Sequence, residues 1–168
     1  MLVISDNSAL SALAEMGLLE VLHRIVGPVC IPASVAIEGR YSGAPEALRK
    51  WILSPPCWLT VLPDPIEMLE KTASLGAGEA AAITLAWHHR GASSLILDER
   101  RGRTVAKMLE LPTVGLLSIL VEAAVVGEVD FDDALSRLLA TGFRLSLALV
   151  EEARSEVAVG KTLQSLRG

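Results

Sequence analysis

The sequence is poor in aromatic residues and in cysteine. Aromatic residues make up 4% of the 168 residues, whereas apolar residues of all kinds make up 51%, so Leu, Val, Ile and Ala must build the core. A core of that kind favours helices packed on a parallel sheet over an all-β sandwich. The two cysteines, Cys30 and Cys57, lie far apart and match no metal-binding spacing. We therefore predict that both are buried thiols in a reducing compartment.

The chain also lacks the apolar segments that secretion and membrane insertion require. The N-terminus has no basic region, and Asp6 interrupts the first apolar run, so we predict no signal peptide. The apolar run from Leu116 to Val126 contains Glu122 and is too short to span a bilayer. These features predict a cytoplasmic protein without a membrane partner.

An excess of basic charge is missing as well. The formal net charge is −5, from 15 basic and 20 acidic residues. Because nucleic-acid binders usually carry a basic footprint, this balance counts against a broad, non-specific binder. It is compatible with an enzyme whose acids hold a metal ion and whose few bases lie beside them.

Short apolar runs alternate with helical patterns up to residue 114. The first and fourth runs stop at Asp6 and Asp98, and Pro32 suits the first turn of a helix that carries Glu38. A longer helical region follows. The predicted strands are residues 2–5, 29–31, 58–62, 94–97 and 112–114, and the other predicted helices are 8–23 with a break at Gly17, 44–53, 66–74, 80–89, 99–110, 116–126, 130–140 and 146–157.

This alternation predicts the α/β class, as a three-layer α/β/α sandwich around a central parallel sheet. Residues 1–127 would form the α/β domain. Residues 128–168 would form a helical extension, packed on the same domain or on a dimer partner, with the last eight residues frayed.

Four acidic residues stand at strand ends or on the helices that follow strands. In an open parallel sheet, ligands bind outside the carboxyl ends of the central strands, where Asp6 and Asp98 are expected to meet. Each acid also has a purely structural interpretation. Asp6 and Asp98 could be helix N-caps, although Ser8 could cap the first helix instead. Glu38 could be a solvated helix end, and Glu79 could simply favour the positive end of a helix dipole.

The four acids together have a more specific interpretation than any one of them. Carboxylates gathered in one crevice would repel one another and raise their pKa values. A divalent cation removes that conflict, and Mg²⁺ prefers hard oxygen ligands. A cation held in this way can activate water and stabilise charge on a phosphoryl group, as in phosphodiester hydrolysis.

Basic residues follow Asp98 on the next predicted helix. Arg100, Arg103 and Lys107 fall near one face, with Arg101 beside them. These side chains could grip phosphate. They could equally form a solvated helix face that pairs with neighbouring acids.

The residues considered so far resemble the PIN-domain superfamily over nearly the whole chain, and within it a prokaryotic PIN-like subgroup known as a domain of unknown function. None of the short sequence pieces that carry this resemblance is specific alone, but their order and spacing together are specific. The pieces are Val3-Ile4-Ser5-Asp6-Asn7-Ser8, Ile31-Pro32-Ala33-Ser34-Val35 leading to Glu38, Leu75-Gly76-Ala77-Gly78-Glu79-Ala80, Leu97-Asp98-Glu99, Gly102-Arg103 to Ala106, Val114-Gly115 and Gly142-Phe143-Arg144-Leu145-Ser146.

The resemblance implies a parallel sheet ordered 3-2-1-4-5 and a ribonuclease that depends on Mg²⁺ or Mn²⁺. It places Asp6, Glu38, Glu79 and Asp98 as catalytic and metal-binding residues, with Glu99 as a possible extra member. We expect Arg100, Arg101 or Arg103 to position an RNA substrate. Many members are VapC-like toxins of type II toxin–antitoxin pairs, which implies a cognate antitoxin and a homodimer.

The chain departs from the usual PIN pattern at two positions. Glu79 stands where active toxins usually have Asp, which keeps a carboxylate but changes its reach. Asn7 stands where Thr or Ser is commoner, so Ser5 or Ser8 would have to supply a hydroxyl. Glu79, the acidic balance and an apolar helical tail suited to a dimer or partner interface motivate an alternative function, a catalytically weak or inactive PIN-like protein-binding module.

A phosphoacceptor receiver domain is a further alternative, since it is also a doubly wound sheet with acids at strand ends. It requires an acid pair after the first strand and a Lys after the fifth. Here Asn7 follows Asp6, and Gly115-Leu116 follows the fifth predicted strand. The sequence therefore favours the PIN-type interpretation.

Overall fold

The computed structural model describes residues 1–166, and a parallel sheet lies at its centre. The strands are β1 (Leu2–Ser5), β2 (Val29–Pro32), β3 (Leu59–Leu62), β4 (Ser93–Ile96) and β5 (Thr113–Val114). The helices are α1 (Asn7–Met16), α2 (Leu19–Val26), α3 (Ala33–Glu38), α4 (Glu46–Leu53), α5 (Ala77–His88), α6 (Arg100–Met108), α7 (Leu116–Val125), α8 (Phe131–Ala140) and α9 (Leu147–Ser165).

The strands run in the order β3-β2-β1-β4-β5 and pair in parallel. Both the α/β class and the expected strand order are therefore confirmed. β1 and β4 lie in the middle of the sheet, with Ser5 opposite Ile96. Because Asp6 follows Ser5 directly and Asp98 lies two residues beyond Ile96, this register places both acids at the same edge.

Helices cover both faces of the sheet, which gives the predicted three layers. Successive strand residues point to opposite faces, so Val3 and Ile4 enter different apolar clusters. Val3 packs in the cluster of α1 and α7, with Leu10 and Leu116 fully buried. Ile4 packs in the cluster of α5 and α6, with Ile83. Burial on both faces explains why Leu2, Val3 and Ile4 of β1 form a continuous apolar run, and in β4 the two serines that precede Leu95 and Ile96 are buried as well.

The helices after β5 pack on one another. Val121 and Ala124 of α7 form a small apolar cluster with Ala153 and Val157 of α9. The two helices come so close that a Cβ added at Gly160 would lie 2.5 Å from a methyl group of Val125. The extension therefore lies against α7 of its own chain.

The predicted helix at 66–74 is wrong, because only a short 3₁₀ turn forms there, at Glu70–Thr72. Ile66 is fully exposed, so the segment has no buried apolar side to stabilise a helix. Hydrogen bonds to side chains hold it instead. The Leu69 N–H donates to Thr84 Oγ1 of α5 at 3.3 Å, and Thr72 Oγ1 donates to the Leu69 carbonyl at 2.7 Å.

The last helix is longer than predicted. We expected it to end near Val157 and the final eight residues to fray, but α9 continues to Ser165. Packing of Ala153 and Val157 supports the first part, and the helix then propagates at little cost. The prediction for residues 167 and 168 falls outside the described residues.

The two cysteines are less buried than predicted. Cys57 is exposed and Cys30 only half-buried, so the prediction of two buried thiols is wrong, although both cysteines are free.

Within residues 1–166, none of the helices combines the length and the apolarity that crossing a membrane takes.

We predict that Gly160→Leu destabilises the protein by about 1–3 kcal/mol, because overpacking against Val125 outweighs the gain in helix propensity. Chemical denaturation measures the free energy of unfolding. Ala158→Leu places the same side chain at an exposed position of α9 and is the matched control. Equal stability of the two variants would contradict the packing of α9 on α7.

Candidate active site

Asp6 lies directly after β1 and is almost completely buried, with 3% of its surface exposed. Its Oδ1 accepts a hydrogen bond from the Ala9 N–H at 3.1 Å, which makes Asp6 the N-cap of α1. Ser8 is not the cap, and its hydroxyl donates to Asp6 Oδ2 instead. Burial raises the pKa of Asp6 to about 6, the bonds from Ser8 and Ala9 oppose this, and the charges of Asp98 and Glu38 add to it.

Glu38 is the last residue of α3 and points toward α5. Its Oε1 accepts a hydrogen bond from the Gly78 N–H at 2.8 Å. A Cβ at residue 78 would lie only 2.7 Å from Glu38 Oε2, so this approach requires glycine. Glu38 is half-buried, and its interpretation as a solvated helix end is therefore wrong.

Asp64 holds the other end of α3. Its Oδ1 accepts hydrogen bonds from the Ser34 N–H at 3.0 Å and from the Ser34 hydroxyl at 3.1 Å. The helix N-cap, Pro32, has no side-chain hydrogen bond, so Asp64 supplies the missing acceptor. Asp64 thereby fixes the short helix that presents Glu38.

Glu79 lies in the first turn of α5 and is half-buried. Its Oε1 is buried without a hydrogen-bond partner, and its carboxylate lies against Gly102 of α6, where a Cβ would collide with it. Burial raises the pKa of Glu79 to about 7, and the charges of Asp6, Glu99 and Glu38 add to this, while that of Arg101 lowers it.

Asp98 does not cap α6, as its structural interpretation supposed. Both of its carboxylate oxygens lie 3.0 Å from the Leu116 N–H, at the start of α7, where the N-cap Gly115 has no side chain to offer. Burial raises the pKa of Asp98, although the bond from Leu116 and the charge of Arg103 act against this. Asp98 therefore ties the end of the fourth strand to the helix after the fifth.

The acid cavity, as we call it, opens at this edge of the sheet with a volume of about 200 Å³. Its lining brings three of the predicted acids together, with Glu99 beside them, and Asp98 lines the next cavity along with Ser8 and Glu99. The lining residues of the acid cavity are Asp6, Asn7, Ser8, Glu38, Gly76, Glu79 and Glu99.

The donor set of the acid cavity fits a hard divalent cation in its chemistry. Its carboxylates are oxygen ligands, and Glu79 Oε1 and Asn7 Oδ1 are buried without a hydrogen-bond partner. The side chains are not arranged as a finished cage: across residues 1–166, no three His, Cys, Asp or Glu side chains are placed to hold a metal ion. The hydrogen bonds to Gly78 and Leu116 hold Glu38 and Asp98 on backbone N–H groups instead.

The predicted RNA-binding arginines do not all line the same cavity. Arg100 and Arg103 line a larger cavity next to Asp98. Arg101 does not line that cavity, and its charge acts on Glu79. Arg103 also donates to the Leu97 carbonyl at 3.4 Å.

A comparison with protein-family models matches residues 2–158 to DUF3368, a family described as a PIN domain. The chain belongs to this PIN-domain family. No curated protein and no solved structure matches it. PIN domains are generally nucleases and typically use divalent metal ions, so the match supports a nuclease-type fold. It assigns no residue a role in this PIN domain.

Two residues that line or support the candidate site were not predicted from the sequence. Asp64 lies two residues after β3, as Asp98 lies two residues after β4, but no role was predicted for it. Its position after a strand was the available signal. Asn7 was noted only for lacking a hydroxyl, yet its amide oxygen is a buried, unpaired acceptor beside the acids.

We predict that Asp6→Asn stabilises the metal-free PIN domain at about pH 8 by about 1–3 kcal/mol. Asn keeps the cap, since it is as good an N-cap as Asp, and it removes the buried charge. Because the pKa of Asp6 is raised to about 6 in the folded state, wild-type stability falls as pH rises from about 4 to above 6. The variant should show a smaller fall.

Denaturation in EDTA at several pH values measures this effect. Asp130→Asn is the matched control, since Asp130 caps α8 through the Asp133 N–H on an exposed surface. A stability difference between wild type and Asp6→Asn that stays constant with pH would show that the Asp6 charge is not the cause.

Proposed function

We propose that the protein is a Mg²⁺- or Mn²⁺-dependent endoribonuclease of the PIN type, acting in the cytoplasm as the toxin of a type II toxin–antitoxin pair. The observation that supports the nuclease most strongly is the acid cavity: Asp6, Glu38, Glu79 and Glu99 line it, and burial with mutual repulsion raises the pKa values of Asp6 and Glu79. A cavity of this kind favours a cation. The toxin role and an antitoxin partner rest on the family resemblance, while a homodimer is also compatible with exposed apolar side chains at the end of α9, such as Val159 and Leu163.

Asp6, Glu38, Glu79 and Asp98 would hold the cation, with Glu99 beside them. When bound, the metal would supply water activation and charge stabilisation at the scissile phosphate. The protein positions these side chains through its backbone. N–H groups from α1, α5 and α7 bind Asp6, Glu38 and Asp98, while Asp64 fixes the helix that carries Glu38.

The arginines beside the acids would act on the substrate. Arg100 and Arg103 line the cavity next to Asp98, and their guanidinium groups suit phosphate oxygens. Arg101 does not line that cavity, but its charge acts to lower the pKa of Glu79. Together, these arginines would hold the RNA backbone beside the carboxylates.

We predict that the wild-type protein binds Mn²⁺ and that Asp6→Asn/Asp98→Asn loses this binding, because the double variant removes both strand-end carboxylates. Isothermal titration calorimetry on folded protein measures the change. Asp130→Asn/Asp133→Asn removes two exposed carboxylates from α8 and is the matched control. Failure of the folded wild-type protein to bind millimolar-range Mn²⁺ would count heavily against a nuclease.

We predict that purified protein cleaves a mixed RNA pool only with Mg²⁺ or Mn²⁺. Asp6→Asn should reduce the rate by about 100-fold or more, since losing even a residue that merely orients a ligand typically costs 10–100-fold. Gel analysis of end-labelled RNA measures the rate, with Asp130→Asn as control. Cleavage that persists in Asp6→Asn or in EDTA would contradict the assignment.

A catalytically weak binding module is the second candidate. An apolar stripe on α9 favours it, since Val159, Leu163 and Leu166 are 59%, 52% and 77% exposed. Such a stripe suits a partner or a second copy. A folded protein that binds a partner and cleaves no RNA with either metal would support this function.

A further inference from the structure

A cavity larger than the acid cavity lies beside it. This cationic groove, as we call it, has a volume of about 690 Å³ and runs between α6 and the segment that leads into α9. Its cations are Arg100, Arg103 and Lys107 from α6 and Arg144 from the α8–α9 connection. Lys107 was considered with the arginines of α6 as a possible phosphate contact but was not assigned to RNA, and Arg144 was not predicted to contact phosphate at all.

The cations of the groove are available to a ligand. All four are exposed, and in the described part of the chain none of them forms a salt bridge. Arg103 donates one hydrogen bond to the Leu97 carbonyl, and its charge acts on Asp98. Elsewhere on the surface, Arg24, Arg137 and Arg154 each pair with a carboxylate. Only two acids, Asp98 and Glu110, line the groove against four cations, in a chain whose net charge is −5. The groove therefore suits a polyanion.

Apolar side chains lie between these cations. Leu111 is buried, while Leu117, Phe143 and Leu145 are half-buried and line the groove. Aromatic and apolar surfaces can take the faces of nucleobases, with cations nearby for the phosphates. A duplex hides its base faces in the stack, so this combination favours a single strand.

The groove is continuous with the acid cavity. A bridging cavity of about 370 Å³ shares Asp98 and Phe143 with the groove, and it shares Ser8 and Glu99 with the acid cavity. A linear ligand can therefore pass from the four cations, past Phe143 and Asp98, to the carboxylates. An acidic peptide could pair with the cations of the groove, but it would find no favourable contact at the acid cavity, where the path ends.

We infer that the cationic groove binds single-stranded RNA on one side of the position that is cleaved. Arg144 and Lys107 contact phosphates there, and Phe143 takes a base at the junction with the acid cavity. This inference rests on the proposed nuclease function for the direction of the path. Arg101, which does not line the groove, belongs to the other side of the cleavage position.

The test measures RNA binding without catalysis. A short, fluorescently labelled single-stranded RNA of mixed sequence is titrated with full-length protein in EDTA, and anisotropy gives the affinity at several salt concentrations. Lys107→Ala/Arg144→Ala should bind roughly tenfold more weakly, and its salt slope should fall by about 1.4, the value for two lost contacts to a single strand. Lys71→Ala/Lys161→Ala, which changes net charge equally at exposed positions outside the groove, should bind like wild type.

Four results would overturn the inference. They are no binding of the single strand by wild type, equal weakening by both double variants, equal or tighter groove-dependent binding of a duplex of the same length, and groove-dependent binding of an acidic peptide without binding of RNA. Failure of the proposed function looks different. RNA that binds through the groove and is never cleaved with Mg²⁺ or Mn²⁺ would refute the nuclease and keep the groove.

Discussion

The Asp6 carboxylate is almost completely buried and lies near other acids, so keeping it charged costs free energy. The other contacts of the site depend on how that cost is offset. The pKa of Asp6 is raised to about 6 chiefly by burial, so the folded protein holds an unfavourable charge at neutral pH. Glu79 and Asp98 share the problem. A surface elsewhere on this acidic chain could carry such charges at almost no cost. Their concentration at the carboxyl edge of the central strands therefore supports the proposed cation site.

The fold offsets part of this repulsion with helix N-termini. Asp6 accepts from an N–H of α1, Glu38 from one at the start of α5, and Asp98 from the first N–H of α7. Because the N-terminus of a helix carries partial positive charge, the three helices stabilise the three carboxylates. The same contacts fix the positions of the acids. Structural capping and a role in the site are thus compatible in one residue, although the sequence presented them as alternatives.

The central strands of the sheet could be predicted from local sequence patterns. The apolar runs that end at Asp6 and Asp98 gave the central strands, and the register of β1 with β4 brings their ends together. The contacts of the acids across the fold could not be predicted. Nothing adjacent to Asp64 in sequence shows that it holds Ser34, and nothing near Asp98 points to Leu116. These pairings depend on strand order.

Only part of the cationic groove could be predicted from the sequence, for the same reason. Arg100, Arg103 and Lys107 share a helix face, so their proximity follows from helix geometry. Arg144 lies 37 positions beyond Lys107 in the numbering and joins them only because the α8–α9 connection returns toward α6. The predicted helix at 66–74 failed in a related way. Its local pattern was helical, but the side chains of Thr72 and Thr84 bound the backbone of Leu69.

Glu79 differs from the other acids in what holds it. Asp6, Glu38 and Asp98 each accept a backbone N–H, so part of the hydrogen-bonding capacity of these carboxylates is already used. Glu79 Oε1 has no such partner and is buried against Gly102, where any side chain on residue 102 would displace it. An unpaired buried oxygen costs about 1–3 kcal/mol, so a bound cation would relieve a cost at Glu79 and break no hydrogen bond of that oxygen. Glu has one more methylene than Asp, and at this position the added length allows the carboxylate to reach the backbone of α6. The departure from the usual Asp is therefore matched by a glycine on the facing helix.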